Sequence, residues 1–175
     1  MSGTKPLPEN FFNQDVKDVA QELLGKTLCV RQNLGTIIKD IISETEAYDG
    51  ENDLACHASK GKTPRTSIMY EQGGVCYVYL CYGMHWMLNF VTGSPEYPAA
   101  VLIRGSLGVN GPGRLTKHFG IDGSFNKKCI SKSSLIWVES SDIQTSKIHS
   151  GPRIGVNYAG PVWSKVPYRF WFSKS

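Results

Sequence analysis

The sequence predicts an α+β fold in a single domain, residues 1–175, with a curved, open-barrel-like antiparallel β-sheet, surrounding helices and a protruding β-hairpin. Segments rich in β-branched and aromatic residues outnumber segments with helical spacing, which favours a sheet with a few helices around it. A chain of 175 residues also supports one substantial core and is too short for two comfortable domains.

The composition is that of a globular protein. Hydrophobic residues make up 41% of the chain and charged residues 19%, which argues against a disordered chain. The net charge of +4 permits a polyanionic partner without requiring one. The five cysteines are odd in number and lack zinc-ligand spacing, so we expect a reducing compartment, no disulfide framework and no metal or other cofactor.

The sequence gives no sign of membrane insertion or secretion. Its apolar runs are all shorter than the roughly 18 residues that a membrane-spanning helix needs. The N-terminal segment MSGTKPLPENFF lacks the apolar core of a signal peptide. We therefore expect no membrane association and an intracellular location.

The first elements are a helix and two strands. Asp15 is a predicted N-cap and Gly25 ends the helix, whose apolar residues follow at helical spacing: Val16, Val19, Ala20, Leu23 and Leu24. Strand Thr27–Arg31 comes next, and a returning strand is predicted at Thr36–Glu44. The acidic run after Glu44 leaves the strand pattern and predicts a loop.

The segment Val75–Val91, VCYVYLCYGMHWMLNFV, predicts the protruding β-hairpin. Tyr82-Gly83 interrupts two apolar runs, so the tip carries Tyr82 and Met84. A large flat side chain at such a tip either packs on a neighbouring element or inserts into a partner, for example between two base steps of DNA.

The remaining elements are predicted from shorter patterns. Glycines flank an apolar residue in GPRIGV, which indicates a close approach of the backbone to another group. In chain order we predict a helix beginning at Thr63-Pro64, strand Ala99–Arg104, helix Arg114–Phe119 ended by Gly120, a polar loop at 122–133, and strands Leu135–Glu139 and Tyr168–Phe172.

One carboxylate, three rings and one amide form a site if the fold brings them together. Aromatic rings that sandwich a planar ligand are how enzymes hold a flipped nucleobase, and a carboxylate near the sugar can activate water. Each residue also has a structural explanation, such as sheet packing or capping. The five residues are Glu46, Tyr48, His57, Tyr79 and Asn89.

Asn89 has the weakest structural explanation of the five, because it lies inside an apolar strand. A buried amide without hydrogen bonds costs about 1–3 kcal/mol. Asn89 therefore either bonds to neighbouring backbone or faces a pocket.

Six segments, in this order, resemble the alkyladenine (3-methyladenine) DNA glycosylase family: ETEAYDGENDLACH, TPRTSIMY, YVYLCYGMHWMLN, AAVLIRG, GPGRL and GPRIGV. The resemblance runs from the first helix to the last strand, and its ETEAY and YVYLCYGM segments are long and specific. It implies a monomeric, monofunctional glycosylase of base excision repair that acts on double-stranded DNA without a cofactor. Such an enzyme extrudes an alkylated or deaminated purine, of the 3-methyladenine, hypoxanthine or ethenoadenine type, and leaves an abasic site.

The resemblance implies a role for each matched residue of the catalytic centre. Glu46 matches the general base that activates the water attacking C1′ of the deoxyribose. Arg104 matches a pocket arginine near that water, and the backbone carbonyl of Ile154 matches an acceptor for it. No lysine nucleophile stands in the matched positions, so the resemblance implies no strand cleavage.

The resemblance also implies how the DNA is held. Tyr48, His57 and Tyr79 match residues that stack on the extruded base or hydrogen-bond to it. Asn89 matches the position that disfavours guanine by a clash with its exocyclic amine. Tyr82 matches the residue that enters the minor groove and fills the vacated space, with Met84 beside it. The protein would then be found with DNA, in the nucleoid of a bacterium or the nucleus of a eukaryote.

Two other functions remain open from the residues alone. A non-catalytic nucleic-acid-binding module would stack bases on Tyr77, Tyr79 and Tyr82, but it leaves Glu46 unexplained. A glycoside hydrolase acting on free sugars or nucleosides normally needs two carboxylates, and Glu44 is the nearest second one.

Overall fold

The structure is a computed structural model that describes residues 3–173. Residues 1, 2, 174 and 175, which the single-domain prediction includes, lie outside the described residues. The strands form one curled antiparallel sheet of eight strands with a few helices around it, which confirms the predicted α+β class.

The strands and helices have the following bounds. The strands are β1 Thr27–Arg31, β2 Ile37–Asp49, β3 Cys76–Cys81, β4 His85–Val91, β5 Ala99–Ser106, β6 Ile136–Glu139, β7 Ile148–Gly151 and β8 Arg169–Phe172. The α-helices are α1 Val16–Glu22, α2 Pro112–Phe119 and α3 Gly160–Trp163. Short 3₁₀ helices span Glu9–Asn13, His57–Lys60, Ser67–Tyr70, Gly123–Phe125 and Asn157–Ala159.

The sheet is organised around β2, the longest strand. Six strands follow the order β3-β4-β5-β2-β1-β6, and β8 joins β2 to β7. The first half of β2 pairs with β1, while its second half lies between β5 and β8. The second half of β2 is therefore held on both edges, which makes it a rigid support for a site.

The prediction that this strand ends at Glu44 is wrong, because β2 continues to Asp49. Its register against β5 shifts between Ile42 and Thr45. A bulge of this kind interrupts the period-two alternation from which a strand is recognised. The polar residues that follow are also partnered inside the fold, as Thr45 shows by donating its hydroxyl to the carbonyl oxygen of Ala20 at 2.7 Å.

The predicted helices are partly confirmed. Asp15 caps α1 by accepting a hydrogen bond from the backbone of Lys17 at 2.9 Å. Helix α2 begins two residues before the predicted Arg114, at Pro112, and ends at the left-handed Gly120 (φ 65°). The prediction of a helix beginning at Thr63-Pro64 is wrong, since the structure has a turn there and a 3₁₀ helix only from Ser67.

The predicted hairpin is confirmed. Strands β3 and β4 pair from Cys76↔Phe90 to Cys81↔His85. The backbone N–H of Met84 donates to the carbonyl of Cys81, and both central residues of the turn have positive φ, as in a type I′ turn. Helix α2 braces the hairpin from behind, where the Thr116 hydroxyl donates to the backbone of Trp86 at 2.8 Å.

The later strands are confirmed with small shifts. β5 extends past the predicted Arg104 to Ser106, and β6 and β8 each begin one residue later than predicted. Strand β7 and helix α3 were not predicted. β7 is an edge strand of four residues with no apolar run. Among the described residues, none of the helices has the length and apolar character that a membrane crossing requires.

Candidate active site

Glu46 lies in the doubly paired part of β2, and its side chain is fully buried. Its Oε2 atom accepts a hydrogen bond from the Tyr48 hydroxyl at 2.6 Å. Its Oε1 atom accepts one from the backbone N–H of Ile154 at 2.8 Å and lies 3.5 Å from Nη1 of Arg104. Two hydrogen-bond donors and one guanidinium group, from three parts of the chain, thus surround this carboxylate.

The pKa of Glu46 is raised from its ordinary value, chiefly because burial disfavours the charged form. Arg104, the Tyr48 hydroxyl, the Ile154 N–H and Arg153 oppose this effect. A carboxylate with a raised pKa is a better proton acceptor than an exposed one, and the ideal base has a pKa near the working pH.

Arg104 is placed beside Glu46 by a second carboxylate, Glu44. The Nε atom of Arg104 donates to Glu44 at 3.2 Å, and Nη1 of Arg169 donates to the same oxygen at 3.1 Å. Glu44 is therefore held between two cations, which suits an anchor for Arg104. One of its oxygens is occupied by two guanidinium donors, so Glu44 is placed as an anchor for cations and not as the second acid of a glycoside hydrolase.

A small aromatic cavity of about 30 Å³ lies next to a larger cleft of about 930 Å³. The cleft brings Glu46, Arg104, Ile154 and Tyr82 to the same opening. The two spaces share four residues as walls: Tyr48, His57, Tyr79 and Tyr158. Asn89 lines the small cavity, so the fold brings the five candidate residues together around one opening.

His57 is held as a neutral ring in this wall. Its Nδ1 atom lies 2.9 Å from the Tyr77 hydroxyl, and its ring centroid is 4.6 Å from that of Tyr79. Burial, with contributions from Arg65 and Lys60, lowers the pKa of His57 to about 4. At neutral pH the ring is therefore uncharged and suited to stacking and neutral hydrogen bonding.

Three basic residues follow His57 in the chain, Lys60, Lys62 and Arg65, and they do not all face the cleft. The guanidinium of Arg65 lies 5.0 Å from the centroid of the Tyr79 ring and lines the cleft with Lys60. Lys62 instead contacts Glu96 at 3.3 Å, away from the cleft lining. Arg65 thus supports one face of an aromatic side chain that was predicted to contact a base.

Asn89 both bonds to neighbouring backbone and faces a pocket, the two alternatives predicted from the sequence. It is buried in β4, with 3% exposure, and its amide nitrogen donates to the backbone carbonyl of Tyr77 at 3.1 Å. It also lines the small cavity. The amide is therefore fixed in orientation by the hairpin while its side chain shapes the cavity wall.

Ile154 contacts Glu46 through its backbone N–H. The role implied by the resemblance used its carbonyl as an acceptor for water, and that role stays a prediction. At the tip of the hairpin, the side chains of Tyr82 and Met84 are 91% and 71% exposed. Tyr82 lines the cleft, whereas Met84 does not.

Tyr82 also has an unusual backbone conformation, with φ of 51°. This left-handed region costs a residue other than glycine roughly 1–2 kcal/mol. The fold therefore holds a bulky, exposed ring at a position where the backbone alone would favour glycine.

Three residues of this region were not predicted. Tyr158 lines both spaces and donates its hydroxyl to the backbone of Ala55 at 2.8 Å. Arg153 and Asp53 form a fully buried ion pair, and Arg153 donates to the backbone of Ala47, the residue after Glu46. The GPRIGV motif marked the neighbourhood of Arg153, but Asp53 lay among several acidic residues with nothing local to distinguish it.

Within residues 3–173, the structure places no group of three or more His, Cys, Asp or Glu side chains that could hold a metal ion. The polar atoms at Glu46 come instead from Tyr48, Arg104 and the backbone of Ile154.

Comparisons with known proteins agree on one family. The model of the methylpurine-DNA glycosylase (MPG) family matches residues 10–175. A protein of Myxococcus xanthus named "Putative 3-methyladenine DNA glycosylase" is 43% identical over 178 residues, covering 97% of this chain and 91% of its own. Proteins of the same name from Rickettsia rickettsii (50% identical, 70% of this chain, 68% of its own) and Psychrobacter cryohalolentis (45%, 86% and 84%) are also similar.

Proposed function

The chain belongs to the methylpurine-DNA glycosylase family and is a DNA glycosylase of base excision repair. We propose that it hydrolyses the glycosidic bond of alkylated and deaminated purines in duplex DNA. The substrates would be purines of the 3-methyladenine, hypoxanthine and ethenoadenine type. We further propose that it acts as a monomer, in contact with the chromosomal DNA of its cell.

The buried carboxylate of Glu46 is the observation that carries this proposal. It lies at the wall of a cleft and beside an aromatic cavity, with two hydrogen-bond donors and an arginine on its oxygens. A binding module has no use for such a group, because a carboxylate repels nearby phosphates and burying it is costly. A hydrolase can use such a carboxylate to activate water as a general base.

In the proposed reaction, Glu46 accepts a proton from a water molecule as the water oxygen attacks C1′ of the extruded nucleotide. The bond between C1′ and the base nitrogen breaks, and the base leaves with the electron pair. Tyr48, His57 and Tyr79 hold the base between their rings. An alkylated adenine carries positive charge, so it is a better leaving group than adenine and is favoured by electron-rich rings.

The proposal is tested with a labelled duplex that contains one hypoxanthine or one ethenoadenine. We expect the protein to convert either lesion to an abasic site, which hot alkali cleaves, while the matched duplex with adenine stays intact. Failure to release either base, or any base from alkylated DNA, would refute the proposed activity.

We also expect no strand cleavage before the alkali step. Strand-cutting glycosylases use an amine that forms a Schiff base with the sugar. Among the described residues, Lys60 is the one lysine that lines the cleft, and it is exposed. Borohydride should therefore trap no covalent complex with DNA. A trapped complex that disappears in Lys60→Ala would show that the protein is a lyase as well.

Replacing Asn89 should weaken discrimination against guanine. In the proposed pocket the Asn89 side chain meets the exocyclic amine of guanine, and truncation to alanine removes that contact. We expect Asn89→Ala to raise guanine excision relative to hypoxanthine excision by about tenfold or more, as for other pocket contacts of one small group. Hypoxanthine in the same variant is the internal control, and an unchanged ratio would assign Asn89 a structural role.

A further inference from the structure

The side chains of Asp53 and Arg153 form an ion pair that is fully buried. Nη1 and Nη2 of Arg153 each donate to one oxygen of Asp53, at 2.5 and 2.8 Å. Asp53 also accepts from the backbone N–H groups of Asp49 and Ala55, both at 3.0 Å. The carboxylate is thus saturated, and it ties the end of β2 to the loop that follows.

The guanidinium of Arg153 connects further parts of the fold. Nη1 donates to the backbone carbonyl of Ala47 at 2.9 Å, and Nη2 donates to that of Trp163 at 3.3 Å. Its central carbon lies 4.8 Å from the ring centroid of Tyr48 and 5.3 Å from that of Tyr168. One side chain therefore holds β2, α3 and the loop before β8 in a fixed relation.

Arg153 is linked to both partners of the hydrogen bond between Ile154 and Glu46. Arg153 precedes Ile154, whose N–H donates to Glu46 at 2.8 Å, and it binds Ala47, which follows Glu46. It also packs on Tyr48, whose hydroxyl donates to the other carboxylate oxygen at 2.6 Å. Two of the three contacts of Glu46 thus depend on the position of Arg153.

We propose that Asp53 and Arg153 are positioning residues that orient the carboxylate of Glu46, through the Ile154 peptide and the Tyr48 ring, for its reaction with water. This inference rests on the proposed function of Glu46 as general base. A purely structural role explains the pair less well, because a buried ion pair is often replaceable by apolar residues without loss of stability. Two of the residues next to Arg153 or packed on it, Ile154 and Tyr48, are also the two hydrogen-bond donors to Glu46.

The test replaces Arg153 by lysine, which keeps the charge and loses the two-pronged donor. The Ile154 N–H then loosens from Glu46, so the carboxylate loses a stabilising hydrogen bond and its pKa rises further. The charged groups near Glu46 on other elements, namely Arg104 with its partner Glu44 and Arg169 on β8, are unchanged. We measure single-turnover excision against pH, duplex binding, and the titration of the Glu46 carboxyl carbon by NMR.

For Arg153→Lys we expect duplex binding within about threefold of wild type and an excision rate about 100-fold lower, the cost of a displacement of about 1 Å. The acid limb of the rate profile and the NMR titration of Glu46 should both move to higher pH. Lys39→Met is the matched control, because it removes the cation from another buried carboxylate, Glu139, in a distant part of the sheet. It should leave the rate and the Glu46 titration unchanged.

A folded Arg153→Lys protein with wild-type rate and an unmoved Glu46 titration would overturn the proposal. If this variant does not fold, Asp53→Asn decides by the same two measurements, since it keeps the shape of Asp53 and removes its charge. If the wild-type protein releases no base from any substrate, the proposed function fails. The NMR titration then still decides whether the pair positions Glu46.

Discussion

Glu46→Gln should abolish base excision while leaving duplex binding intact. The substitution keeps the size of the side chain and removes the group that accepts a proton from water. General-base catalysis contributes about 10²–10⁴-fold in rate, so the single-turnover constant should fall by at least that factor. Glu139→Gln is the matched control, because Glu139 is also buried but lies on β6, where it accepts hydrogen bonds from Lys39 and Trp137.

The pH dependence of the wild-type protein supplies a second readout for Glu46. Burial raises its pKa from an ordinary value near 4.5, and the base acts only in its deprotonated form. Excision should therefore fall as the pH drops through a value above 4.5, and the residual rate of Glu46→Gln should lack this limb. A Glu46→Gln protein with wild-type activity would remove Glu46 from the mechanism.

Tyr82→Ala should slow excision from duplex DNA by about ten- to hundredfold. A ring that fills the space left by an extruded base replaces part of its stacking, which is worth about 1–3 kcal/mol per base. The side chain is 91% exposed, so its removal should change stability by less than about 0.5 kcal/mol. Thermal unfolding of the variant checks that the loss of rate is not a loss of fold.

Single-stranded DNA distinguishes a wedge from a general DNA contact. A base that is already unpaired needs no replacement in a stack, so Tyr82→Ala should excise it at nearly the wild-type rate. Leu34→Ala is the control, because Leu34 is an exposed apolar residue (96%) in the turn between β1 and β2. Equal losses on duplex and single-stranded DNA would contradict the wedge.

The hairpin and the first helix could be predicted from sequence because their signals are local. Tyr82-Gly83 marks the turn, and Asp15 caps a helix whose apolar residues follow directly. The convergence of Glu46, Tyr48, His57, Tyr79 and Asn89 on one opening also agrees with the structure, though it was proposed from residue types and a family resemblance.

The supports of the site could not be predicted, because they act across long stretches of chain. Asp53 and Arg153 pair over 100 residues of sequence separation. The bulge in β2 breaks the alternation that would have extended the strand to Glu46. The sequence leaves Glu44 open as a second acid, and only the positions of Arg104 and Arg169 show that it binds two cations.

Strand β3 joins the aromatic wall of the cavity to the exposed tip of the hairpin. Tyr79 and Tyr82 are three residues apart, and at roughly 3.3 Å per residue this is about 10 Å along the strand. In the proposed complex, the length of the hairpin therefore sets the distance between the gap in the base stack, which Tyr82 fills, and the extruded base, which contacts Tyr79. One inserted residue would turn the rings to the wrong face, whereas two would keep the face and lengthen the reach by roughly 7 Å. The length of this hairpin is thus as much a part of substrate geometry as the residues on it.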